Sequence, residues 1–158
     1  MGLDMYLTAE KYVSGYRDVP ARDKVLGALG DHPPLRDEGA HAVVNVSVAY
    51  WRKANAIHNW FVENVQDGED KCEKAHVPLE KIKELVATCE GVLFKRDPEL
   101  AAEELPTADG FFFGPTDYDD WYWGNLEETV AILSPLIQWF EADENRAGDW
   151  DLFYQSSW

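Results

Sequence analysis

The eleven residues that follow Gly2 decide most of what this chain can become. In LDMYLTAEKYV, the apolar Leu3, Met5, Leu7 and Ala9 alternate with Asp4, Tyr6, Thr8 and Glu10. A period of two puts the first set on one side of an extended strand and the second set on the other. Such a strand is half-buried. The chain must cover one of its faces and also supply a neighbour for its backbone hydrogen bonds. AHAVVNVSVAY, residues 40–50, is β-branched and roughly alternating, which predicts that neighbour.

The covering layer reads as helical. PLEKIKELVATCEGVL carries its apolar residues at helical spacing, and Pro78 suits the first helical position. DPELAAEEL predicts a short turn of helix. Asn125 to Glu128 (N-L-E-E) has the form of a capping box, opening a helix with Leu126, Val130, Leu133, Ile137 and Phe140 on one face. Pro135 lacks a backbone donor, so a bend or break is expected there. Residues 17–40, with GDHPPLRDEG at their centre, read as loop. FFFG reads as a short strand, and DWDLFYQSSW as a last strand at a sheet edge. With no repeat and no composition break, the expectation is one domain, residues 1–158. Its class is α+β: a small, mostly antiparallel sheet packed against about three helices.

Charge narrows the function classes. Fourteen Lys and Arg stand against thirty Asp and Glu, a formal net charge of −16. Residues 1–79 hold 12 acids and 9 bases, and residues 80–158 hold 18 acids and 5 bases. That field opposes direct nucleic-acid binding and anionic membranes, and it attracts basic protein surfaces. No apolar run reaches the ~20 residues of a membrane helix, and the N-terminus lacks a basic-then-apolar signal, so a cytoplasmic protein is expected. Two cysteines are too few for a disulfide framework. Cys89 shares a stripe with Leu79, Ile82, Val86 and Leu93, which predicts a buried, inert thiol.

YWRKANAIHNWF, residues 50–61, is the most distinctive stretch. Wound as a helix, it sets His58 inside an apolar arc with Trp51 beside it, while Asn55, Asn59 and Arg52 form a polar shoulder. Trp60 points away from the stripe and needs either a second packing partner or an exposed role. Two readings stay open for His58. It is a core histidine bonded to a carbonyl or a tyrosine, or it belongs to a pocket wall where imidazole, amides and guanidinium hold a planar ligand.

GFFFGPTDYDDWYWGN, residues 110–125, crowds Tyr118, Trp121, Tyr122 and Trp123 around Asp117, Asp119 and Asp120. A calcium loop needs glycine at its sixth position, where Tyr122 stands. A helix start, with Thr116 capping a turn, suits the acids better. Phosphate loops, zinc pairs and nucleophile elbows are missing from the sequence, so no cofactor, metal or catalytic set is expected.

The opening MGLDMYLTAEKYVSGY, the central YWRKANAIHNWFVENVQ and the later LPTADGFFFGPTDYDDWYW together resemble a family of small uncharacterised proteins of bacteriophages and prophages. The resemblance implies an accessory protein working in the host cytoplasm, of the kind that counters host defence, and no particular activity. Three functions follow from the residues. The first is non-enzymatic binding of a small planar, nucleotide-like ligand, with Trp51, Arg52, Asn55, His58 and Asn59 facing Tyr118 and Trp121 across one cleft. The second is an acidic inhibitor that imitates nucleic acid and occludes a basic surface, which the resemblance implies is that of a host defence complex. The third is an enzyme using His58 as general base. Oligomeric state is left open.

Overall fold

The computed structural model describes residues 2–35 and 39–158. The elements run β1 (Asp4–Val13), α1 (Val19–Leu29), β2 (Ala42–Arg52), α2 (Asn55–Val65), β3 (Ala75–His76), α3 (Leu79–Lys95), α4 (Pro98–Glu104), α5 (Asp120–Glu141), α6 (Arg146–Asp149) and β4 (Asp151–Ser157). The fold is α+β. Its four-stranded sheet has the order β2-β1-β4-β3, and every pairing is antiparallel.

β1 is the hub, as its alternation demands. Leu3, Met5, Leu7 and Ala9 are buried, while Tyr6 and Tyr12 face solvent. The covered face packs on α2, α3 and α5, whose Ile57, Phe61, Ile82, Leu85, Cys89, Leu126 and Leu133 belong to one continuous core. Each fully buried Leu or Ile contributes about 1.5–3 kcal/mol relative to exposure. The opposite face of β1 and β2 is left largely to water, as an antiparallel sheet allows.

Several local expectations are corrected. Residues 17–40 are not all loop. Asp18 accepts a hydrogen bond from the Ala21 amide and Pro20 sits in the first turn, so Val19–Leu29 winds as α1. That helix was hidden because it has almost no apolar stripe; Arg22 is its one buried residue. FFFG is a turn, closed by the Phe113 amide on the Gly110 carbonyl. The helix expected from Asn125 starts a turn earlier, because Asp119 caps the amides of Trp121 and Tyr122. Neither the capping box nor Thr116 is its cap. α5 then runs through Pro135 without a break. The last strand is not at the edge for its whole length, since β3 pairs with it through Ala75 and His76.

The largest correction lies inside YWRKANAIHNWF. Tyr50, Trp51 and Arg52 finish β2, and the helix begins only at Asn55. Between them Lys53 takes a left-handed backbone, φ 58°. Its amide donates to the Leu3 carbonyl at 2.8 Å, which ties the junction to the start of β1. Gly114 packs against this residue, and a Cβ there would lie 3.2 Å from the Lys53 Cβ. Gly114 itself has φ 91°, so a side chain is disfavoured there twice over.

Candidate functional site

α2 drives His58 into the core, where it is 1% exposed. Its Nε2 lies 2.9 Å from Asp70 Oδ2 and its Nδ1 2.7 Å from the Tyr154 hydroxyl. A carboxylate only accepts, so Nε2–H donates to Asp70 and Nδ1 accepts from Tyr154. The neutral imidazole therefore satisfies both partners. Burial pushes the His58 pKa below its ordinary 6.5, against the opposing pull of Asp70. The expectation of a tyrosine partner holds for this residue.

Asp70 gathers more than the histidine. Its Oδ2 also accepts from Trp158 Nε1 at 2.8 Å, and its Oδ1 lies 3.4 Å from Ser156 Oγ. Phe113 stands edge-on to both His58 and Trp158. The loop after α2, the strand β4 and the 110–113 turn are thus fastened at one point. The order carboxylate, imidazole, hydroxyl resembles a nucleophile relay. However, Tyr154 is fully buried and stacked on Phe61, ring centroids 4.0 Å apart. Burial pushes its hydroxyl pKa well up, and no reacting atom can approach it. His58 lines none of the surface grooves described below.

The expected single cleft is not assembled. Asn55 donates its amide to the carbonyls of Phe113 and Pro115, at 3.2 and 2.8 Å, and so holds the 110–115 turn. Asn59 reaches the Pro106 carbonyl at 3.5 Å. Tyr118 packs edge-on against Tyr122, with its hydroxyl 3.4 Å from the Thr107 amide. Trp51 is buried and donates to Thr129 Oγ1 at 3.0 Å. Where Asn55 does approach Trp121, the cavity holds only about 10 Å³, room for one water at most.

Trp51, Arg52 and Trp121 do meet. With Tyr50, Asp120, Asn125 and Glu128 they line an open groove of about 280 Å³ where the end of β2 passes α5. Trp121 is 50% exposed and Tyr50 44%. Tyr6 continues this aromatic strip, 5.4 Å from the Tyr50 ring. The Tyr50 hydroxyl donates to Asp4, which pushes its pKa up. The Arg52 guanidinium makes no hydrogen bond or ion pair with the described residues.

Sequence reasoning missed Asp70, Tyr154, Thr129, Tyr50 and Asn125. Tyr154 and Asp70 lie 96 and 12 residues from His58, and no local spacing announces such a pair. Tyr50 could have been found, because the strand read over residues 40–50 already ended on it. Among the described residues no group of three or more His, Cys, Asp or Glu could hold a metal ion. No helix is long and apolar enough to cross a membrane. Comparison with known protein families, with curated proteins and with solved structures gives no match for this chain.

Proposed function

We propose that this chain works by binding a basic protein surface, with the Trp121 groove as its anchor. The carrying observation is a half-exposed tryptophan between Asp120 and Glu128, in a shallow groove, on a chain of net charge −16. Tryptophan and tyrosine dominate binding hot spots, and a tryptophan face is the best side-chain partner for a Lys or Arg cation. Carboxylates on both sides complement the same cation, and the wider acidic field speeds its approach. On the expectation of a phage accessory protein, a basic nucleic-acid groove of a host defence complex is a partner of matching charge.

The test is titration of Arg- and Lys-rich peptides against the intact protein, followed by tryptophan fluorescence at rising salt. Trp121→Ala should weaken binding by about 2 kcal/mol, and affinity should fall steeply with salt. Binding that ignores both changes would sink the proposal.

Arg52 favours a second reading in the same groove. A guanidinium without a hydrogen bond or ion pair, in a groove that Trp51 and Trp121 also line, suits a planar anionic ligand, and about 280 Å³ lies near the lower end of ligand-site volumes. A nucleotide at a hundred times its dissociation constant would stabilise the fold by about 2.7 kcal/mol. Thermal shift against a nucleotide panel, repeated with Arg52→Ala, decides this; no shift with any compound excludes it.

A further inference from the structure

β1 and β2 continue past the rest of the sheet. β4 pairs with β1 only as far as Glu10, whereas β2 follows it through Lys11↔Val44, Tyr12↔Val43 and Val13↔Ala42. The hairpin, with α1 at its far end, is therefore an arm. Seven of the fourteen large hydrophobic residues exposed among the described residues lie between positions 12 and 46. Tyr12 is 61% exposed, Leu29 64%, Val43 55% and Val46 42%.

The arm differs from the rest of the molecule in charge as well. Residues 12–46 hold four bases and five acids, against ten bases and twenty-five acids elsewhere. From Ala40 to Trp51 no Asp, Glu, Lys or Arg occurs. β2 is also the outermost strand, paired on one side only, and no hydrogen bond from the described residues reaches its outer side in Ala42–Ser47. Natural edges are usually guarded by charge, proline or a bulge. Here the register shift lies just past the middle of β2, at Val48, between the pairs Leu7↔Ala49 and Thr8↔Ser47. It leaves Ala42–Ser47 regular, with no such guard among the described residues.

We infer that this edge takes a second copy of the same chain. Antiparallel pairing of β2 with β2, about a two-fold axis near Val44 and Asn45, joins two four-stranded sheets into one of eight strands. The nearly neutral arm, with its uncharged β2 segment, is the place where two molecules of net charge −16 can meet with their acidic parts held apart. A basic partner fits this edge poorly, having nothing there to pair with. The contact uses a part of β2 separate from Tyr50–Arg52, so it stands or falls independently of the Trp121 groove.

The test is sedimentation equilibrium of the intact protein over a wide concentration range, at roughly 50 mM and 500 mM salt. A monomer–dimer equilibrium is expected, tighter at the higher salt because screening reduces the mutual repulsion. Val43→Glu, at an exposed position, should weaken dimerisation at least tenfold while leaving the circular dichroism spectrum unchanged. Phe94→Glu adds the same charge at a residue 89% exposed on α3 and should leave dimerisation unchanged. A monomer at every concentration and salt overturns the inference. So does a dimer indifferent to Val43→Glu, or an open-ended assembly in place of a closed pair.

Discussion

Single residues divide this chain into groups held by the fold and groups left available. His58 belongs to the first kind. Its folded pKa is depressed, so its contribution to stability is present above the unfolded value of 6.5 and is lost as pH falls through that value toward the lower folded one. Urea unfolding should therefore give a midpoint that falls as pH drops below 6.5, and His58→Leu should flatten that part of the profile. Tyr154→Phe leaves Nδ1 of His58 without its donor in the core and should cost about 1–3 kcal/mol in the same assay. Cys89 offers a cheaper check. Burial pushes its thiol pKa up to about 12, whereas Cys72 is partly exposed. An aromatic disulfide reagent should titrate one thiol in the native protein and two in denaturant. The inertness of Cys89 was legible from its helical stripe. The environment of His58 was legible only by half, because a tyrosine partner can be expected but its position cannot.

Elements were legible where periodicity was strong. β1, β2 and α3 lie close to where alternation and helical spacing put them, since each buries a regular face. Junctions were not. A helical reading of residues 50–61 fails because Tyr50–Arg52 satisfy their backbone in the ladder with β1, and Lys53 accepts a left-handed turn to start α2. The start of α5 was masked similarly. Three aspartates in four residues look like a charge cluster, yet Asp119 alone holds two amides of the first turn. Asp119→Ala should cost about 1 kcal/mol of stability, measured by urea unfolding, and Asp119→Asn much less. Because Trp121 stands in that same turn, Asp119→Ala should also loosen the groove and weaken peptide binding beyond its effect on stability.

At the scale of the whole molecule, composition and alternation sufficed for an antiparallel α+β domain, and no more than that. Which strand lies beside which depends on contacts between distant residues, and the candidate cleft depended on that arrangement. Most of the seven residues expected around one ligand are turned to internal partners: Trp51 of β2 to Thr129; Asn55, His58 and Asn59 of α2 to carbonyls, Asp70 and Tyr154; and Tyr118 to Tyr122. The arrangement has a consequence in time. β1 lies between β2, which follows within forty residues, and β4, with Asp4 opposite Ser157. A ribosome adding roughly 5–20 residues each second leaves β1 waiting about ten seconds for its second neighbour. Through that interval one long edge of β1 is bare, and the anchor of Asp70 on Trp158 does not yet exist. Chaperones meeting the nascent chain would find a lone hairpin that must be kept from pairing with the hairpins of neighbouring nascent chains.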